Sequence, residues 1–177
     1  ARMFLEKTFS CAADLGAKIV VFHAGYASMD PLFGNLFTTA RKLRVKRGRK
    51  VYDAFRREFD TLRPSLESKG LLLALENLPS LEGFPNVFEA EKLMREFDGA
   101  PLRLWFDTGH ALVCETNGWG AESVHMAAKL APWIRGMHLN DVKGPSDDHG
   151  EPGWGNVDYA GLTFLAKRDI HRVFEPS

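Results

Sequence analysis

Residues 102–111 read LRLWFDTGHA, an apolar run that ends in an aspartate and is followed three residues later by a histidine. One interpretation is a buried strand that stops in an Asp-Thr-Gly turn, with no special role for His110. The other places Asp107 and His110 at the mouth of a barrel, as two members of a metal site. A single stretch does not decide between the two, so the test is whether the pattern recurs along the chain.

Four other apolar runs repeat the pattern. They read AKIVVFH (17–23), LLLALEN (71–77), IRGMHLND (134–141) and HRVFE (171–175). The runs that begin at residues 17, 71 and 102 are almost continuously apolar, as are strands that are buried on both faces of a parallel sheet. The sequence therefore predicts five strands.

The segments between the runs have helical spacing. In 50–69, apolar side chains recur every three or four residues, and the segments 86–97 and 120–132 repeat this pattern. Residues 1–16 are typical of an amphipathic helix, and Gly70 stands where a left-handed cap would end a helix. Strands that alternate with helices indicate βαβ units and hence a parallel α/β fold.

A carboxylate or an imidazole stands at or near the end of every run. These residues are His23, Glu76, Asp107, His138 and Glu175. Each one alone is better explained as a polar residue that caps a strand or is satisfied in the core, but five in five strands favours a shared site. In a βα barrel the C-terminal ends of all strands converge on one face. Carboxylates with an imidazole suit Mn²⁺, Mg²⁺, Co²⁺ or Zn²⁺, so we expect a divalent metal there.

A second set of polar residues follows the fourth run, in a loop rich in glycine and proline. Asp147 and His149 lie in this loop with one residue between them. They are compatible with a solvated loop. Alternatively, they join His110 as a lid over the site or as ligands of a further metal, since loops at the catalytic face of barrels carry such groups.

Composition indicates an ordinary globular domain. The 177 residues have no net formal charge, and 45% of them are hydrophobic, so we predict one domain over 1–177 without a general attraction to nucleic acid or membranes. No apolar run reaches the roughly 20 residues of a membrane span. Cys11 and Cys114 form no disulfide framework. A cytoplasmic location is the expectation.

One stretch is strongly basic. Residues 41–50 read RKLRVKRGRK, with seven basic residues in ten. We interpret the stretch as a solvated loop. The alternative is a surface that contacts DNA, a phosphate on a sugar or another anion.

Several motifs occur together and in a fixed order: ALENLP (74–79), LWFDTGHA (104–111), GMHLNDVKG (136–144), DDHGEPGWGNVDY (147–159) and VFEP (173–176). With them, the chain resembles the xylose-isomerase-like TIM-barrel superfamily over nearly its whole length. That superfamily includes sugar phosphate isomerases and epimerases, ketose 3-epimerases and AP-endonucleases of the endonuclease IV type.

The resemblance implies roles for individual residues. The positions that match the divalent-metal ligands of the epimerases are Glu76, Asp107, His138 and Glu175. Glu76 and Glu175 also match the acid/base pair, and His110 matches a histidine that contacts substrate in epimerases or a zinc ion in endonucleases. The positions that match further zinc ligands of the endonucleases are His23, Asp147 and His149. Independently of the resemblance, the residues themselves suggest substrate contacts at Asn77, His110, Lys143 and Trp154.

The chain departs from the family in two respects. In EPGWG (151–155), Trp154 stands where the family often has a glutamate, so no role is carried over for that glutamate. The resemblance also aligns the five runs with the last five strands of a TIM (β/α)8 barrel. We therefore expect a partial barrel, an open barrel edge and a chain that is a piece of a longer protein.

The resulting hypothesis is a divalent-metal-dependent isomerase or epimerase that acts on a sugar or a sugar phosphate. Glu76 and Glu175 would transfer a proton through a metal-stabilised enediolate. The first alternative is a zinc-dependent AP-endonuclease that cleaves DNA, and overall neutrality counts modestly against it. The second is a non-catalytic barrel scaffold stabilised by metal. We expect no membrane partner, and a homo-oligomer is compatible with the sequence.

Overall fold

A single parallel sheet forms the centre of the molecule. The structure, a computed structural model, describes residues 2–27 and 37–176. The strands are β1 (Ile19–Phe22), β2 (Leu72–Glu76), β3 (Leu102–Asp107), β4 (Ile134–Leu139) and β5 (His171–Phe174). They lie in the order of the sequence, and all neighbours are parallel. An order that never reverses is that of a barrel wall rather than of a doubly wound sheet. The predicted α/β partial barrel of five strands is confirmed.

Helices connect the strands. They are α1 (Arg2–Asp14), α2 (Phe37–Lys69), α3 (Val87–Glu96), α4 (Thr108–Thr116), α5 (Ser123–Leu130) and α6 (Thr163–Ala166), with a 3₁₀ turn at Ala131–Trp133. The helices that the sequence predicts in 1–16, 50–69, 86–97 and 120–132 are confirmed. At the end of α2, Gly70 has a φ of +62°, which is the predicted left-handed cap.

The start of α4 corrects the interpretation of Asp-Thr-Gly as a turn. These residues begin a helix, because the Asp107 side chain accepts a hydrogen bond from the backbone N–H of His110 at 2.7 Å. Aspartate is among the residues that most favour this N-cap position. A side chain at Gly109 would overlap the amide oxygen of Asn140, so the helix can approach β4 closely only with glycine there. The Asp-Thr-Gly pattern therefore marks the start of α4.

The interpretation of 41–50 as a solvated loop is wrong, since the stretch lies inside α2. Arg44 is only 4% exposed. Its guanidinium donates to both carboxylate oxygens of Glu89 at 2.7 and 2.8 Å, and to the backbone oxygens of Leu81 and Gly83 at 2.9 and 2.7 Å. A bidentate partner is what lets a guanidinium be buried. The charge of Arg44 therefore has a structural role.

The two faces of the sheet differ. Leu73, Leu75, Leu104 and Phe106 are buried among the residues of the main hydrophobic core. The alternate positions of the same strands include Glu76 and Asp107, which therefore share the opposite face. β1 and β5 are the outer strands, and β5 is exposed along its whole length. The sheet thus separates the main apolar core from the face that carries Glu76 and Asp107.

Two smaller observations concern predictions from composition. In the parts of the chain that the structure describes, no helix combines the length and the apolar character that crossing a membrane requires. Cys11 and Cys114 are free cysteines. The cytoplasmic location and the single domain over 1–177 stay predictions.

Candidate metal centre

Four side chains meet at the C-terminal ends of the strands. Glu76 and Asp107 are the last residues of β2 and β3, His138 lies in β4, and Glu175 follows β5 directly. One potential ligand atom from each residue lies within 4.8 Å of the others. Ligands bound at about 2.0–2.2 Å to one cation lie up to about 4.4 Å apart. Small side-chain movements would therefore bring all four to one ion.

His138 is the centre of this group. Its Nδ1 lies 2.8 Å from Glu76, 3.0 Å from Glu175 and 3.7 Å from Asp107. One nitrogen thus faces three carboxylates, a set of donors that fits a hard or borderline divalent cation. Glu76 and Asp107 are buried, whereas the Glu175 side chain is 44% exposed. The site is therefore open to a ligand on the side of Glu175.

Two asparagines hold Asp107 in place. Asn140 is fully buried, and its Nδ2 donates to Asp107 Oδ2 at 2.7 Å. Asn77 donates to the backbone oxygen of Asp107 and accepts from its backbone N–H, both at 2.9 Å. The amide of Asn77 therefore braces β2 against β3. Its predicted contact with substrate stays a prediction, and this bracing role was not foreseen.

A second group consists of His110, Asp147 and His149, whose potential ligand atoms also lie within 4.8 Å of one another. Asp147 Oδ2 is 3.3 Å from His110 Nε2 and 3.2 Å from His149 Nε2. His149 has a φ of +47°, a left-handed conformation that is uncommon outside glycine and is found more often at functional sites. The loop that carries Asp147 and His149 thus lies next to His110, as expected from the interpretation in which these residues join His110 at the site.

His110 links the two groups, and His23 contacts only the first. His23 Nε2 lies 2.9 Å from Glu76 Oε2. His110 Nδ1 lies 3.7 Å from both Glu76 and Asp107, and 2.8 Å from the backbone oxygen of Asn77. All eight residues predicted as metal ligands or as further ligands therefore form one connected cluster.

Burial and the neighbouring charges shift the protonation of the first group. Burial raises the pKa of Glu76, but the hydrogen bond and positive charge of His138, with the charges of His110 and His23, lower it overall. Burial lowers the pKa of His138, yet Glu76, Glu175 and Asp107 raise it overall. The pKa of Asp107 is raised, chiefly by burial. The carboxylates therefore stabilise a positive charge between them. A bound divalent cation would supply such a charge.

The second group behaves in the same way. Burial lowers the pKa of His110, but Asp147 and Asp107 raise it to about 9. Burial raises the pKa of Asp147, and the two histidines beside it lower it overall. Burial lowers the pKa of His149. Its hydrogen bond to the Glu175 backbone oxygen and the charge of Asp147 outweigh burial and raise this pKa overall. This group also attracts positive charge.

Asp141 supports the loop that carries Asp147 and His149. It is 1% exposed, and its carboxylate accepts the backbone N–H groups of Val142, Gly153 and Val157, each at 2.9 Å. Asp141 and Gly150 also exchange two backbone hydrogen bonds at 2.8 Å. No role was predicted for Asp141, although an aspartate that opens a loop rich in glycine is a signal for such a clamp.

Trp105 packs beside His138. Its ring lies edge-on to the His138 imidazole, with 5.3 Å between the ring centroids. Gly136 faces Trp105 across the sheet, and a Cβ at this position would overlap the indole. The ring therefore lies against bare backbone and helps to set the position of His138.

Replacement of Gly136 by alanine is expected to destabilise the fold by about 1–3 kcal/mol, because the added methyl group overpacks the Trp105 site. Urea unfolding followed by tryptophan fluorescence measures the change. Gly144, around which a Cβ would meet nothing, provides the control. A G136A variant as stable as G144A would show that the indole can move aside freely.

Lys143 and Trp154 contact each other. The Lys143 Nζ lies 3.8 Å from the centre of the Trp154 ring, and Trp154 is 48% exposed. This cation–π pair is part of the surface of the same loop. Contacts of the two residues with a substrate stay predictions.

Comparisons with known proteins agree with the fold. A family model described as Xylose isomerase-like TIM barrel matches residues 1–170. The chain is 31% identical over 137 residues to an inosose dehydratase of Bacillus thuringiensis (strain Al Hakam), covering 73% of this chain and 41% of that protein. It is 27% identical over 153 residues to an uncharacterized protein of Methanocaldococcus jannaschii, covering 84% of this chain and 46% of that protein. The chain thus spans less than half the length of these relatives.

Solved structures show the same fold. The apo 3-keto-D-glucoside 4-epimerase of E. coli gives a TM-score of 0.68 at 17% identity, covering 99% of this chain and 62% of that chain. A D-allulose 3-epimerase of Methylomonas sp., solved with D-allulose, gives 0.62 at 18% identity, covering 99% of this chain and 55% of that chain. At such identities the likeness concerns the fold alone.

Proposed function

Since the chain belongs to the Xylose isomerase-like TIM barrel family, we propose that it carries the catalytic face of a divalent-metal-dependent isomerase or epimerase for a sugar or a sugar phosphate. The observation that carries the proposal is the meeting of Glu76, Asp107, His138 and Glu175 at one point. The epimerases among the solved structures and the inosose dehydratase among the relatives support a sugar-like substrate.

Glu76 and Glu175 are the proposed acid and base. Both contact His138, from strands on either side of β4 and at different depths. One of the two carboxylates, in its ionised form, can accept a proton from a carbon beside a carbonyl group, and the other, in its protonated form, can return one to that carbon. Proton transfer by positioned carboxylates contributes about 10²–10⁴-fold to rates.

The remaining residues hold the reactants. Asp107 and His138, with the two glutamates, would bind the cation, which when bound polarises a substrate oxygen. His110 directs its Nε2 toward the loop that carries Asp147. This nitrogen can hold a substrate hydroxyl. The loop with Asp147 and His149 would limit the access of water to the reacting carbon.

A second candidate function rests on the second ligand group. His110, Asp147 and His149 add three donors beside the first site, and His23 adds a fourth. A cluster that binds two or three zinc ions could hydrolyse phosphodiesters, as the AP-endonuclease alternative requires. The alternative of a non-catalytic scaffold predicts that the protein binds metal but converts no substrate.

Deuterium exchange distinguishes these functions. The purified protein, loaded with Mn²⁺, Co²⁺ or Zn²⁺ and analysed for bound metal, is incubated in D₂O with a panel of ketoses, ketose phosphates and inosose. Incorporation of deuterium at carbon, lost after EDTA and restored by metal, is the expected result. Nicking of abasic-site DNA without exchange would support the hydrolase, and metal binding without either activity would support the scaffold.

A further inference from the structure

Three arginines lie at the end of the sheet that is opposite the metal centre. Arg103 and Arg135 are the second residues of β3 and β4, and Arg168 lies between α6 and β5. Asp107 lies four positions after Arg103 along β3, which corresponds to about 13 Å. The arginines are therefore outside the metal centre, and the proposed reaction uses none of them.

The strands turn Arg103 and Arg135 toward the same region. Arg103 alternates with Trp105 and Asp107, so the three share one face of β3. Leu104 pairs with Ile134 but Trp105 pairs with Gly136, so Arg135 is the extra residue of a β-bulge. Bulges re-aim side chains. Burial and the positive charges of Arg103 and Arg168 lower the pKa of Arg135, as expected for guanidinium groups that are close together.

Backbone carbonyl groups hold the guanidinium groups of Arg103 and Arg135, and no carboxylate of the described residues pairs with any of the three arginines. Nη1 of Arg103 and Nη1 of Arg135 each donate to two carbonyl oxygens near the start of their own strands. The Nε atoms of Arg103 and Arg168 are buried without an acceptor in the described part of the chain. Among residues 2–27 and 43–176, no carboxylate forms an ion pair with any of the three arginines. Since arginine keeps its charge in proteins, the described residues leave the cluster without a carboxylate counter-ion.

We propose that Arg103, Arg135 and Arg168 form an oxyanion-binding site, separate from the metal centre. Guanidinium groups match phosphate and carboxylate oxygens with pairs of N–H donors, and no acceptor in the described part of the chain binds the Nε atoms of Arg103 and Arg168. The anion is either a free phosphate group or the carboxylates of a polypeptide that packs on this face. Both have the same chemistry, and they can be distinguished by experiment.

Thermal unfolding in different anions tests the site. The protein is treated with EDTA, and its Tm is compared in sodium phosphate, sodium glutarate and sodium chloride at equal ionic strength. About 10 mM of the preferred oxyanion is expected to raise Tm by about 3–5 °C over chloride. A rise in phosphate assigns the site to free phosphate, and a rise in glutarate alone assigns it to carboxylates. No rise in either would overturn the proposal.

Variants locate the effect. R135M and R168M are expected to lose most of the rise, whereas R63M, which removes an exposed arginine of α2, is expected to keep it. If one cluster variant does not fold, the other serves, with calorimetric titration of the anion into the folded protein. An equal response in wild type and both cluster variants contradicts the site. E76Q should keep the rise, so the result does not depend on the proposed reaction.

Discussion

Replacement of Glu76 by glutamine is expected to slow deuterium exchange into substrate by about 10²–10⁴-fold, because it removes one partner of the acid/base pair. The side chain is 3% exposed and lies 2.8 Å from His138 Nδ1 and 2.9 Å from His23 Nε2. Glutamine keeps the size of the side chain but removes the charge that attracts a cation. The affinity for Mn²⁺ or Co²⁺, measured by calorimetry, should fall as well.

Matched variants separate this effect from general damage. Glu58 is an exposed glutamate of α2 that pairs with Arg2 at the surface, so E58Q should behave as the wild type in both assays. E175Q should also lose exchange, although its more exposed position predicts a smaller loss of cation affinity. Exchange by E76Q within about threefold of the wild type, with wild-type metal content, would falsify the assigned role of Glu76.

The convergence of the candidate ligands was predictable because strand ends are visible in a sequence. Glu76, Asp107 and Glu175 each follow an apolar run, and parallel strands bring such positions to one end of the sheet. Periodicity identified the strands and most helices for the same reason: burial imposes a pattern on neighbouring residues.

Contacts between distant residues were not predictable from these patterns. Asp107 faces His138 and also caps α4. Because of this cap, the Asp-Thr-Gly pattern that suggested a turn marks the start of a helix. The burial of Arg44 depends on Glu89, which is forty-five residues further along the chain. The overlap that excludes a side chain at Gly136 arises from Trp105 on the neighbouring strand. Such partners are determined by packing, which a single sequence does not display.

Replacement of Asp141 by alanine is expected to lower the free energy of unfolding by about 3 kcal/mol or more, because each buried N–H left without an acceptor costs about 1–3 kcal/mol. Three backbone N–H groups depend on this carboxylate, and Gly155 lies so close that a Cβ there would overlap Oδ1. Urea unfolding measures the loss. D141N, which keeps one acceptor oxygen, should fall between the wild type and D141A.

The same variant tests whether the loop positions the second ligand group. Asp147 and His149 lie between Asp141 and Gly153, so release of the clamp should separate them from His110. We expect D141A to lose zinc bound beyond the first equivalent, with the first equivalent retained. Asp148 is the matched control, since it is exposed and accepts one backbone N–H in the same loop. If D141A and D148A lose the same small amount of stability, water replaces the carboxylate and Asp141 is not a clamp.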